Sequence, residues 1–212
     1  MSRRLLPRRA TDTKKKSAGG SLLELVTIVV VALGLALGIQ AFLVKPFRIP
    51  SESMVPTLEV GQRVLVDRVS GHFSNYGRGD ILVFKPPAGA DTGVCGDPNV
   101  PETEACPKPT AQRSDTNFIK RVVAVGGDRI KILGGAVYLN GVKQKESFAN
   151  LSSDCQLCNK PDEITIPKGY YFMMGDNRGA SADSREWGPI PKKWVIGKAF
   201  ATYWPPRKIG IL

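Results

Sequence analysis

Histidine is almost missing from this chain: His72 is the only one in 212 residues. That scarcity excludes hydrolysis by a multi-histidine metal site, and any Ser-His-Asp mechanism would have to run through His72. The loop-like run Gly71-His72-Phe73-Ser74-Asn75 makes an ordinary surface histidine the simpler reading. Acidic residues are also few, 19 against 30 Lys and Arg, which leaves a formal charge of +11. No helix-turn-helix, aromatic RNA-binding motif or zinc-finger spacing accompanies the basic residues, so their excess does not argue for nucleic acid. No internal repeat is visible. With 42% apolar and 23% charged residues, wholesale disorder and a polytopic membrane protein are both excluded.

What is present is unevenly placed. Arg3, Arg4, Arg8, Arg9, Lys14, Lys15 and Lys16 against Asp12 put more than half of the net charge into residues 1–20. This tail lacks apolar periodicity and is read as disordered. Leu22 to Val44 follows, a 23-residue apolar stretch whose only charge is Glu24 near its start. As a helix rising about 1.5 Å per residue it would span roughly 34 Å, enough for a hydrocarbon core of about 30 Å. A cleaved leader would have a shorter apolar core and a small-residue cleavage site, whereas this run ends in Lys45-Pro46-Phe47-Arg48. Residues 21–44 therefore read as a retained single-pass anchor, with a buried core helix as the bland alternative. The positive-inside rule keeps the tail in the cytoplasm beside anionic lipid headgroups and sends residues 45–212 across the membrane.

No second apolar run approaches membrane length. Short runs rich in Val, Ile, Phe and Tyr recur instead: Val64 to Val69, Asp80 to Phe84, Phe118 to Val125, Arg129 to Leu133, Ala136 to Leu139, Glu163 to Ile166, Tyr170 to Met174 and Val195 to Tyr203. Gly126-Gly127, Gly134-Gly135 and Asn140-Gly141 punctuate them, which predicts a β-dominated domain. A polar insertion at about 88–117 holds Cys95 and Cys106, and a second segment at about 145–162 holds Cys155 and Cys158. Four cysteines allow three connectivities, and export favours disulfides over metal. The two local pairs, Cys95 with Cys106 and Cys155 with Cys158, are expected. A zinc site is the other reading, although Cys95 and Cys106 are too far apart for the usual ligand spacing. A thioredoxin-like reading of Cys155-Gln156-Leu157-Cys158 lacks the βαβ pattern it needs.

With histidine so scarce, a serine paired with a lysine becomes the attractive hydrolytic arrangement. The most unusual segment directly follows the anchor, Pro50-Ser51-Glu52-Ser53-Met54-Val55-Pro56-Thr57-Leu58. Its bracketing prolines disfavour regular structure, so it reads either as a rigid linker turn or as a nucleophile turn centred on Ser53. For a base, alternation along Phe118 to Val125 puts Lys120 on one face with Phe118 and Val122, and Arg121 on the other with Ile119 and Val123. Pattern alone does not choose between the two faces, and a salt-bridged surface lysine is the ordinary expectation.

Four segments together resemble the successive signature boxes of bacterial type I signal peptidases. They are Ser53-Met54-Val55-Pro56-Thr57-Leu58, Gly79-Asp80-Ile81-Leu82-Val83-Phe84, Ile119-Lys120-Arg121-Val122-Val123-Ala124-Val125-Gly126-Gly127-Asp128, and Gly175-Asp176-Asn177-Arg178 through Ser181-Ala182-Asp183-Ser184-Arg185. They occur in the family's order behind an N-terminal anchor, and the resemblance covers most of residues 22 to 205. It implies a mostly β fold, an antiparallel domain built on a partly open barrel. It also implies a serine endopeptidase that uses no cofactor or metal and removes signal peptides from exported preproteins after small residues at −1 and −3.

By the same resemblance, Ser53 is the nucleophile and Lys120 the general base, acting through an acyl-enzyme. The Ser53 amide and the Ser51 hydroxyl form the oxyanion hole, and Ser181 orients the lysine. Asp176, Arg178, Asp183 and Arg185 scaffold the site. Ile49, Met54, Leu58, Phe118 and Ile119 line the −1 pocket, and Phe47, Ile49, Val64 and Ile119 the −3 pocket. One departure stands out: where the family often has Asn-Arg-Asp-Asn-Ser, this chain has Asn177-Arg178-Gly179-Ala180-Ser181. Two other readings compete. A self-cleaving repressor of related chemistry would need a DNA-binding module in place of the anchor, and a non-catalytic tethered β-domain would bind an extracytoplasmic partner without cleaving it.

Overall fold

The computed structural model describes residues 18–151 and 155–212. The basic tail, expected to be disordered, lies outside the described residues as far as residue 17. The chain divides into two units, residues 1–41 and 42–212. The first contains α1, Ala18–Phe42, a 25-residue helix long and apolar enough to cross a membrane. No residue between Leu22 and Ile39 is buried. Leu, Val and Ile side chains are exposed all around it, a distribution that suits lipid and would be costly in water.

Among the described residues the second unit has twelve strands: β1 (Val44–Arg48), β2 (Arg63–Asp67), β3 (Ile81–Phe84), β4 (Phe118–Val125), β5 (Arg129–Leu133), β6 (Ala136–Leu139), β7 (Val142–Lys143), β8 (Lys160–Thr165), β9 (Tyr170–Met174), β10 (Ile190–Pro191), β11 (Val195–Trp204) and β12 (Gly210–Ile211). Eight form a curled antiparallel half-barrel in the order β1-β2-β11-β3-β4-β9-β10, with β12 on β11. The sheet stays open because its ends, β1 and β10, do not pair with each other. The other four make a smaller antiparallel sheet, β7-β6-β5-β8.

Most of these elements follow the apolar runs, and the Asn140-Gly141 hairpin explains one of the turns. Leu139 pairs with Val142, and both intervening residues have positive φ, 51° and 84°. That is the backbone a two-residue type I′ turn requires, and Asn-Gly supplies it at least cost. The strands the sequence does not announce are the two-residue β7, β10 and β12 and the five-residue β1, which contains Pro46. β1 is an edge strand, paired only with β2, so the missing amide hydrogen of Pro46 leaves no ladder position unfilled.

Three apolar clusters hold the unit together. One fills the space between the smaller sheet and β4–β9, around Ile130, Ile132, Val137 and Phe172. A second surrounds Trp187 with Leu82, Phe84, Val122 and Met173. The third, beneath residues 49–58, packs Ile49, Met54, Leu58, Val64, Val66 and Ile119. Each such side chain contributes roughly 1.5–3 kcal/mol on burial, so the third cluster is what seats the segment after the anchor. The polar insertion runs without strands and is tied back by Ala88 N to Gln112 O (2.8 Å), Ser114 N to Pro86 O (2.7 Å) and Cys106 N to Arg185 O (3.1 Å). Cys95 is bonded to Cys106, and Cys155 to Cys158.

Candidate active site

Residues 50–58 do not form a linker. They make one turn of 3-10 helix, Glu52–Met54, whose last side chain is fully buried in the third cluster. Val55 N bonds to Glu52 O (3.0 Å) and Leu58 N to Met54 O (2.9 Å), so the turn is closed by its own backbone. Three further bonds staple it to the segment after β9: Asn177 N to Ser53 O (3.0 Å), Asn177 Nδ2 to Glu52 O (3.3 Å) and Thr57 Oγ1 to Asp176 Oδ2 (2.5 Å). The result is a serine held on a short, rigid turn with its hydroxyl aimed at β4.

Lys120, in the first half of β4, meets it there. Its Nζ donates to Ser53 Oγ at 2.5 Å, and both residues are buried, 5% and 4% exposed. The stem of Lys120 runs over the Phe118 ring, with Nζ 5.5 Å from its centroid. Burial pushes the amine's pKa down from 10.5 to about 8; the Asp183 carboxylate opposes that shift and the Arg185 guanidinium adds to it. Ser51 Oγ lies 3.3 Å from Ser53 Oγ. A hydroxyl hydrogen-bonded to a buried amine that is neutral in part of the population near neutral pH can be activated as a nucleophile.

Around the dyad lies a ring of buried charge. Arg185 grips Asp183 through Nε to Oδ1 (2.7 Å) and Nη2 to Oδ2 (2.8 Å), and neither side chain is exposed. Desolvation works to raise the Asp183 pKa, but the charge and hydrogen bonds of Arg185 outweigh it and hold the carboxylate below its ordinary value. Asp183 also accepts from Gly175 N (3.1 Å). Arg185 reaches on to Ser181 O (3.1 Å) and Arg178 O (2.8 Å), and to the loop closed by Cys155 and Cys158 through Leu157 O (3.4 Å). Arg178 pairs with Glu146 at 2.8 Å, and Asp176 with Arg121 at 2.8 and 2.6 Å.

Of the residues singled out in the sequence, Ser51, Ser53, Lys120, Asp176, Arg178, Asp183 and Arg185 all converge here. Ser181 is buried beside them, but its Oγ has no partner of normal geometry, and no bond joins it to the lysine. It lies close enough to Asp183 to favour the ionised carboxylate. Phe118 and Ile119, with Pro50, Ser51, Ser53 and Lys120, line a cavity of about 300 Å³. Phe47, Ile49 and Val83 line a neighbouring one, also about 300 Å³, that shares Pro50, Phe118 and Ile119. Met54, Leu58 and Val64 line neither cavity: all three are fully buried in the core below, where side chains packed on every side leave no free face. His72 is exposed on a four-residue helix, Ser70–Phe73.

Four contributors escaped the sequence reading. Arg121 and Glu146 complete ion pairs whose other halves were recognised, and Thr57 bonds to Asp176. Arg121 stood next to Lys120 in the same box, whereas nothing local marks Glu146. The fourth is Gly175, where an added Cβ would stand 2.3 Å from Ser181 Oγ and 2.4 Å from Ser53 O. The backbone contact cannot yield by rotating a side chain. Gly175→Ala is expected to cost about 1–3 kcal/mol in urea unfolding and to lower peptidase activity by displacing the Ser53 turn.

The model of the family described as "Signal peptidase, peptidase S26" matches residues 22–204, spanning the helix, the Ser53 turn, β4 and the charged ring. The chain belongs to the S26 signal peptidase family. Among curated relatives, a "Signal peptidase I" of Leptolyngbya laminosa is 35% identical over 195 residues, 92% of this chain and 86% of that protein. A "Signal peptidase I" of Mycobacterium tuberculosis is 31% identical over 232 residues, covering 95% of this chain and 79% of its own. A solved signal peptidase I from Enterococcus faecalis covers 59% of this chain and 97% of its own at 22% identity, with a TM-score of 0.40. The protein is thus a peptidase of a family whose members process signal peptides, and its one apolar N-terminal helix is consistent with a membrane anchor.

Proposed function

We propose that this protein removes signal peptides from exported preproteins after small residues at −1 and −3, with Ser53 as nucleophile and Lys120 as general base. The observation that supports this most is the 2.5 Å bond from the buried Lys120 Nζ to Ser53 Oγ. The neutral amine takes the Ser53 proton as Oγ attacks the scissile carbonyl. The Ser53 amide and the Ser51 hydroxyl donate to the oxyanion, each donor contributing about 3–4 kcal/mol. Collapse releases the mature chain's amine with the proton carried by Lys120 and leaves an acyl-enzyme, which water then hydrolyses. Asp183 and Arg185 hold the lysine's surroundings without touching the reacting atoms, and Ser181 fills the space beside it.

The two adjoining cavities suit the −1 and −3 side chains. Phe118, Ile119, Phe47 and Ile49 give them apolar walls, which exclude large chains by clash and admit alanine. The basic tail retained in the cytoplasm places the catalytic unit on the far side of the membrane, where preproteins arrive with their signal sequences in the bilayer. Confinement of enzyme and cleavage site to one layer raises their effective concentration.

Because the base is the free amine and its pKa is near 8, kcat/KM is expected to rise about tenfold per pH unit below pH 8 and to level off above it. Preprotein cleavage in detergent micelles over pH 6–10 checks this, with a serine-directed acylating reagent mapped to the peptide that contains Ser53. A tethered binding domain would neither cleave nor label. A flat profile across pH 7–9 would overturn the role given to Lys120.

A further inference from the structure

Besides the two apolar cavities there is a further one, of about 420 Å³, next to the cavity that holds Ser53. It shares Ala180 and Ala182 with the cavity that holds Ser53 and Lys120, while the cavity around Phe47 shares only residues from the other flank. The cavity that holds Ser53 and Lys120 thus adjoins both of the others, which share no lining residue with each other. An extended peptide advances about 3.3 Å per residue, so a chain whose −1 and −3 side chains occupy the first two cavities runs on towards the third.

The third cavity has a distinct chemistry. Gly179, Ala180 and Ala182 leave its floor open, and the Gly179-Ala180 pair is where this sequence departs from the family's acidic and amide residues. Glu186 is its only charged lining residue among those described. The carboxylate is half-buried and makes no hydrogen bond or ion pair among the described residues. Desolvation and the charge of Asp183 raise its pKa and outweigh the charges of Arg185 and Lys160, which act to lower it, so an incoming donor would relieve a carboxylate that is poorly solvated. Gln156 adds a neutral amide to the wall.

We infer that this cavity is a subsite for the first two residues of the mature chain, and that Glu186 makes it favour a basic side chain there and disfavour an acidic one. This rests on the reading of Ser53 as the cleaving residue. The test uses the full-length protein in micelles and preprotein peptides that differ only at +1 or +2, carrying Lys, Ala or Glu. Cleavage of the Ala peptide establishes that the underlying reading stands. The Lys peptide is then expected to exceed the Glu peptide in kcat/KM by roughly three- to tenfold at low salt. In Glu186→Gln the ratio should fall to about one, and in Glu186→Lys it should invert. Equal cleavage of all three peptides by the parent protein would overturn the subsite without touching the peptidase assignment. So would a preference that persists unchanged in Glu186→Gln, or one that appears at −2 instead.

Discussion

Ser53→Ala and Lys120→Met should each lower preprotein cleavage by about four to six orders of magnitude, as expected when nucleophile and base act as one unit. Their effects should not add: the double variant should be no slower than either alone. The two differ in what they do to stability. Lys120 is buried as an ionisable group, with its pKa near 8 in the folded chain against 10.5 when unperturbed. Below pH 8 both states carry the proton, and the folded state bears the full cost of a charged amine out of water. Between pH 8 and 10.5 the folded chain has released a proton that the unfolded chain still binds, so stability rises with pH through that window. A shift of this size corresponds to a cost on the order of 3 kcal/mol at neutral pH. Lys120→Met removes the charge and keeps an unbranched apolar stem, so at pH 7 its melting temperature should equal or exceed that of the parent. Residual cleavage above a hundredth of the parent rate in the folded variant would overturn the Ser/Lys assignment.

The second large effect concerns the pair behind the lysine. Asp183 and Arg185 are fully buried and bonded through two contacts, and Arg185 also ties together Ser181, Arg178 and the Cys155–Cys158 loop. Removing either partner leaves a charge in the interior with nothing to balance it. Asp183→Ala or Arg185→Ala should therefore cost about 3–5 kcal/mol in urea unfolding. Asp183→Asn tests the electrostatic part alone. Burial and Arg185 hold the Lys120 pKa down while Asp183 and, more weakly, Asp176 hold it up, so the isosteric amide removes the larger of the two opposing charges. The rising limb of the pH–rate profile, which the Lys120 pKa sets, should then move to lower pH, even as maximal activity falls. A limb that stays in place would mean that Asp183 serves only to hold the loop.

Much of the scaffold was legible because its signals are local. The β4 run Phe118 to Val125 and the β9 run Tyr170 to Met174 end where their apolar residues end. Asn140-Gly141 marks its own turn because φ is a property of single residues. β1 was not legible: Pro46 argues against a strand, and only its place at the sheet edge removes the objection. Of the site, Ser53 and Lys120 were visible through ordered motifs, whereas alternation alone could not separate Lys120 from Arg121. β4 is covered on both faces, so each side of its pleat meets buried groups. Glu146 had no sequence signal, and Thr57 and Gly175, though they stand inside the motifs, were not singled out because their roles depend on contacts with Asp176 and with Ser53 and Ser181.

The sequence by itself determined an apolar span after a basic tail, a β-rich unit behind it, and the motif order of a signal peptidase. These rest on composition, periodicity and the spacing of residues along one dimension. Only the tertiary structure decided that Lys120 is the buried amine and that Ser53 is 2.5 Å from it. It also set Ser181 Oγ beside Asp183 rather than in a bond to the lysine, decided which carboxylate balances which guanidinium, and took Met54, Leu58 and Val64 out of the cavity walls and into the core. The reason is physical. A lysine becomes a base when water is excluded from it, and that exclusion is a property of everything packed around Nζ, contributed by strands and turns from across the chain.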